Sequence, residues 1–102
     1  MLHCNMNTFT DPLQLSLEDL LGDLQHARRS DDMSRLALLA YCEVRRWARQ
    51  AGELDLAERS TELITRSPHA SREQFMAQMD VLIGQLEQVH TRLLTQATSQ
   101  SA

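Results

Sequence analysis

The chain contains no lysine, three glycines, two prolines and two cysteines, and its aromatic side chains are two phenylalanines, one tyrosine and one tryptophan. Each shortage excludes something. Few glycines and prolines remove the turn punctuation of a sandwich or barrel, and scarce β-branched and aromatic residues remove the strands between the turns. Two cysteines, Cys4 and Cys42, cannot build a disulfide framework. Cys42 lies in an apolar run and is expected as a buried thiol. No glycine-rich phosphate loop is present. The four histidines, His3, His26, His69 and His90, stand more than twenty residues apart, none is spaced i, i+4 from another histidine or a cysteine, and the adjacent His3-Cys4 lacks companion ligands, whereas structural zinc needs four converging nitrogen or sulfur donors. No nucleophile sits beside a histidine with an orienting acid. The sequence therefore predicts no enzyme, no cofactor and no metal site.

Long hydrophobic runs are missing too. No stretch approaches the roughly 18 apolar residues of a membrane span. The opening MLHCNMNTFT has neither the basic nor the apolar region of a signal peptide. A cytoplasmic protein without membrane contact is expected. Basic excess is also lacking: ten arginines face fourteen acids, for a net charge of −4, so no direct nucleic-acid contact is expected. The choice of arginine over lysine fits a GC-rich coding sequence and also fits protein interfaces, where arginine is enriched.

What is present is helical. Apolar residues form 42% of the 102 positions, enough for one domain with a modest core. Residues 1–12 are polar, aperiodic and closed by Asp11-Pro12, and read as a flexible arm. Ser16 is the expected N-cap of a first helix, with Asp19 three residues later and a Leu15/Leu20 staple. Leu17, Leu20, Leu21, Leu24 and Ala27 make its stripe. Ser30, Asp31 and Asp32 offer caps for a second helix over about 32–51, closed by Gly52. Its run from Leu36 to Cys42 is apolar all round, so the helix is either central to the bundle or also faces a partner. A third helix over about 54–66 carries Leu56, Ala57, Leu63 and Ile64 and stops at Ser67-Pro68. Ser71 and Gln74 form a capping box for a fourth, running to about residue 96. The single domain is placed at 13–97 and a frayed tail at 98–102.

The fourth helix carries Phe75, Met79, Leu82, Leu86, Val89 and Leu93 at alternating spacings of about four and three, an a/d seam. Met76, Ile83, His90 and Ala97 widen it. Such a helix overhangs a core of shorter ones, and its apolar surface is expected to be covered in a homodimer. Arg45, Arg46 and Arg49 cluster around Trp47. They mark either a solvated helix end or a partner hot spot of the residue types that favour interfaces. Ala48 and Gly52 match the small residue and turn glycine of a DNA-reading helix-turn-helix, but Glu58 falls where that motif needs an apolar residue. Gly52, Ala57 and Pro68 match parts of a tetratricopeptide repeat, with the glycine-to-proline spacing short by one and no second copy. A plain helical hairpin explains the same residues.

The segment from Phe75 to Leu86, FMAQMDVLIGQL, resembles the long C-terminal helix of bacterial quorum-sensing anti-activators of the TraM/QslA type. That resemblance implies a small helical dimer that sequesters a LuxR-type transcription factor. The overall expectation is an all-α, antiparallel bundle of three to four helices, dimeric through the last. It would act as a non-enzymatic regulator that binds another protein. The rival expectation is a secretion or assembly chaperone holding a client helix in a groove.

Overall fold

Stripe positions in the first helix meet the test of burial together: Leu17, Leu20, Leu21, Leu24 and Ala27 are all in the core. The computed structural model describes residues 11–65 and 71–101, with side chains described for 12–63 and 71–96, and every element among them is helical. Helix α1 spans Asp11–Arg29. Helix α2 covers 33–51 as three continuous stretches: α-helical Met33–Leu38, a π-helical turn Leu39–Val44, and α-helical Arg45–Ala51. Helix α3 is Leu54–Thr65 and helix α4 is Arg72–Ser101.

The start of α1 corrects the expected cap and the last two positions of the expected arm, whose residues 1–10 lie outside the described residues. The helix is already formed at Asp11, so Pro12 lies in its first turn, where a missing N–H costs nothing and a fixed φ helps. Ser16 is then inside the helix. Its hydroxyl donates back to the Pro12 carbonyl at 2.8 Å and to Leu13 at 3.2 Å. Leu15 is exposed, so it staples nothing. The far end is corrected as well: the backbone of α4 stays helical to Ser101, past the expected stop near 96.

Both described turns close on the same hydrogen-bond pattern. After α1, Asp32 N–H bonds the Ala27 carbonyl at 2.9 Å and Asp31 N–H bonds Arg28 at 3.1 Å. After α2, Glu53 N–H bonds Ala48 at 2.8 Å and Gly52 N–H bonds Arg49 at 3.2 Å. This crossed pair satisfies carbonyls that the helix end leaves free, and it needs a left-handed residue at its pivot. Gly52 fills that place at φ 78°. Asp31 fills it at φ 59°, a region aspartate tolerates better than most residues. Replacing Gly52 with alanine is expected to cost about 1 kcal/mol through φ alone, read as a lower midpoint in urea. The side chain of Asp32 caps α2 by accepting from Arg35 N–H at 3.1 Å. Loss of that cap in Asp32→Ala is expected to cost about 1 kcal/mol in the same measurement. Ser71 Oγ likewise accepts from Gln74 N–H at 3.1 Å at the start of α4.

The four helices form a ring in which each packs on the next: α1 on α2, α2 on α3, α3 on α4, and α4 back on α1. Leu36, Leu39, Ala40, Val44, Trp47 and Ala48 of α2 face the middle, opposite Met76, Met79, Leu82, Ile83, Leu86 and Val89 of α4. Leu56, Ala57, Ser60 and Leu63 complete it from α3, and the buried Ser60 hydroxyl is satisfied by the Ala57 carbonyl at 2.9 Å. Ile64 and Ser67-Pro68 lie outside the residues whose side chains are described. Pairs across the α1–α4 seam run in descending order on α4 as they ascend on α1: Glu18 with His90, Gln25 with Glu87, Arg28 with Asp80.

Candidate protein-binding face

The apolar edge of α4 belongs to the molecule itself. Phe75, Met79, Leu82, Leu86 and Val89 are buried in the single chain, and Leu93 is half-buried against the same core. The flanking Met76 and Ile83, which widened the stripe, are buried with them. The expected dimer interface on this seam is therefore corrected: α1 and α3 already cover it. Outward, α4 shows mostly polar positions such as Gln78, Gln88 and Thr91, with Val81 and Leu94 as exposed apolar exceptions.

Trp47 is corrected in the same way. It is only 4% exposed, and its indole N–H donates to the Leu13 carbonyl at 3.0 Å, which ties α2 to the first turns of α1. It is a core anchor and not a surface hot spot. Cys42, expected in the core, is exposed. His26 is exposed on α1, while His3 and His69 lie outside the described residues. Among the described residues no group of three or more potential metal ligands converges.

The arginines remain at the surface. Arg46 pairs with Glu43 at 2.9 Å, and Arg45 lies over the Tyr41 ring, 4.9 Å from its centroid. Such a cation over an aromatic face is held without an acid partner. Among the described residues, neither Arg45 nor Arg49 forms an ion pair. The π turn explains how this face arises beside a buried one. By taking extra residues into one turn, it keeps Leu39, Ala40 and Val44 on the core while Leu38, Tyr41 and Cys42 stay outside. Leu38 is 59% and Tyr41 40% exposed. A π turn within an α-helix is rare and recurs at functional positions.

Two shallow hollows meet on this face. One, of about 370 Å³, lies between α1 and α2 and includes Asp19, Asp23, Leu38 and Cys42. The other, of about 300 Å³, is built by α2 alone from Tyr41, Cys42, Arg45, Arg46, Arg49 and Gln50. Cys42 lines both, and together they make up the outer α2 groove. The hollow between α1 and α2 carries Arg35 beside the acids Asp19, Asp23 and Glu43, and the other carries three arginines. Sequence reasoning found the arginines but missed Leu38, Tyr41 and Cys42 as surface residues. A seven-residue apolar run hides which of its members face out.

A second polar cluster is structural. Arg28 grips Asp80 through two bonds of 2.8 and 3.3 Å, and Arg72 bonds both the carbonyl (2.9 Å) and the carboxylate (2.7 Å) of Asp31. These contacts tie the α1–α2 turn to the start of α4. The Asp80 carboxylate also pushes the Arg28 guanidinium above its ordinary value. At the other end of the α1–α4 seam, the Glu18 carboxylate accepts from His90 Nε2 at 2.9 Å and from Gln14 Nε2 at 3.4 Å. The hydrogen bond from His90, then that from Gln14, holds the Glu18 carboxyl below its usual range. Folding thus favours the ionised form. The resulting stability is present above the ordinary glutamate value and fades as pH falls through the lowered one. Melting curves between neutral and acid pH are expected to separate wild type from Glu18→Gln at the neutral end and to converge at the acid end.

No protein-family model matches the chain, and no curated protein or solved structure shows significant similarity to it.

Proposed function

We propose that the chain is a non-enzymatic regulator that binds another protein through the outer groove of α2. One observation carries this reading: α2 buries one side completely and leaves Leu38, Tyr41 and Cys42 exposed on the other, beside Arg45 and Arg49, which form no ion pair among the described residues. Apolar and aromatic residues ringed by arginine are the composition from which interface hot spots are drawn. In its sharper form the regulator is a cytoplasmic anti-activator acting in quorum sensing. It covers a functional surface of a LuxR-type transcription factor and needs no cofactor, metal, membrane or nucleic acid. The bundle is taken as antiparallel throughout. Any homodimer uses a surface other than the α4 seam.

The groove also supports a second reading, a secretion or assembly chaperone that shelters a client helix. Affinity capture from the host with the wild-type chain and with a Leu38→Asp/Tyr41→Asp variant separates these. Recovery of a transcription factor by the wild type alone supports the anti-activator, and recovery of a secreted subunit supports the chaperone. Equal recovery of the partner by both chains removes the α2 groove from the account.

A further inference from the structure

Helices α2 and α3 carry opposite charge on adjoining flanks of one surface. Arg45 and Arg49 stand one turn apart on α2, and Arg49 lines a hollow of about 510 Å³ between the two helices. The α3 side of that hollow includes Leu54, Asp55, Glu58 and Glu62. Glu43 lines the hollow on the opposite flank of α2, toward α1. Arg59, exposed on α3, does not line the α2–α3 hollow. Among the described residues, Arg45, Arg49, Asp55, Glu58 and Glu62 form no ion pair. We propose that this surface binds a second copy of the chain. A twofold axis along the α2–α3 boundary sets the α3 acids of each copy on the α2 arginines of the other.

In a twofold interface a patch meets its own copy, so a patch of one sign repels itself. A patch split into a basic and an acidic band attracts itself when the axis runs along the dividing line. Rotation about such an axis keeps each residue at its own height along the hairpin, and height can be counted from Gly52. Arg49 stands three residues from it and Glu58 six, while Arg45 stands seven and Glu62 ten. The arginines and the acids thus share one spacing, and each pair is offset by the same three residues, about 4.5 Å of helical rise. Side chains lean toward the start of their own helix. With α2 and α3 antiparallel, as taken above, Arg49 and Glu58 of the other copy lean toward one another, and so do Arg45 and Glu62. Arg45 rests on the face of the Tyr41 ring, which leaves the edge of its guanidinium for a carboxylate. Leu54, 69% exposed, lies in the hollow at the dividing line, where it meets its own copy. Exposed ion pairs contribute little singly, so the dimer is weak and salt-sensitive. It does not depend on the foreign partner proposed above, with which it competes for Arg45 and Arg49.

Sedimentation equilibrium of the full chain tests the assignment. A reversible monomer–dimer equilibrium is expected, with a dissociation constant that rises about tenfold or more between about 50 mM and about 0.5 M salt. Arg45→Glu/Arg49→Glu and Glu58→Arg/Glu62→Arg are each expected to stay monomeric, because like charges then face one another. Mixed in equal amounts, the two variants are expected to form a heterodimer, since every contact is again between opposite signs. A folding defect cannot produce that rescue. Circular dichroism shows whether each variant remains helical, and should either lose helix, the neutral pairs Arg45→Gln/Arg49→Gln and Glu58→Gln/Glu62→Gln are each expected to weaken the dimer. Four results overturn the proposal: a wild-type monomer at millimolar concentration in low salt, a dimer that salt strengthens, a dimer that neither variant weakens, or a mixture of helical variants that stays monomeric. Any of these leaves the partner reading standing, because capture of a host protein and its loss in Leu38→Asp/Tyr41→Asp are read separately.

Discussion

Exchanging Leu82 and Leu86 for aspartate is expected to unfold the chain, not to split a dimer. Both side chains are wholly buried between α1 and α3 within one molecule. Truncating one such leucine to alanine costs about 2–5 kcal/mol, from lost transfer energy plus the cavity left behind. An aspartate adds a carboxylate with no partner in that apolar setting. Two of them exceed the roughly 5–15 kcal/mol that holds a small domain together. Circular dichroism of the double variant should show loss of helix at 25 °C. Leu82→Ala alone should still fold but melt about 10 °C or more below wild type. A seam reserved for a second copy would behave oppositely: the aspartates would yield a well-folded single chain, with light scattering reporting the halved mass.

Trp47→Ala is the second large effect. The indole is the bulkiest side chain in the core and its N–H is engaged by the Leu13 carbonyl. Removing it is expected to cost about 3–5 kcal/mol. Trp47→Phe keeps most of the volume and loses mainly that hydrogen bond, for about 1 kcal/mol. Urea unfolding followed by circular dichroism measures both. The variants also separate a core anchor from a hot spot. For a core anchor, Trp47→Phe leaves affinity for the captured partner unchanged per folded molecule. A hot spot would lose affinity with little change in stability.

Much of the bundle was legible in local pattern. The α1 stripe, the Asp32 and Ser71 caps, and Gly52 as the pivot after α2 each follow from short-range chemistry, and each is where the sequence puts it. Helix starts were less legible. Asp11-Pro12 reads equally as a break before a helix or as the first turn of one, and Ser16 lost its cap role once α1 began five residues earlier. The candidate site was legible only in part. A heptad seam states that an apolar edge must be covered, but not by whom. Closing α1–α4 into a ring is a tertiary event with no signature in residues 72–96 themselves. The π turn is equally silent in sequence, because Leu36 to Cys42 offers apolar residues at every angle. Its consequence, that Leu38, Tyr41 and Cys42 emerge while Leu39 and Ala40 stay in, depends on the helices packed against it. Trp47 misled for a related reason. Surrounded by arginines in sequence, it points away from them toward Leu13.

Everything functional rests on α2 having one committed face and one available face. Amide hydrogen exchange of the chain, free and saturated with its captured partner, tests that division most directly. New protection within 35–50 and along the Asp19–Asp23 turn of α1 is the predicted result, with α4 unchanged. Protection gained on the outer side of α4 or α3, with the α2 groove exchanging as before, would contradict it.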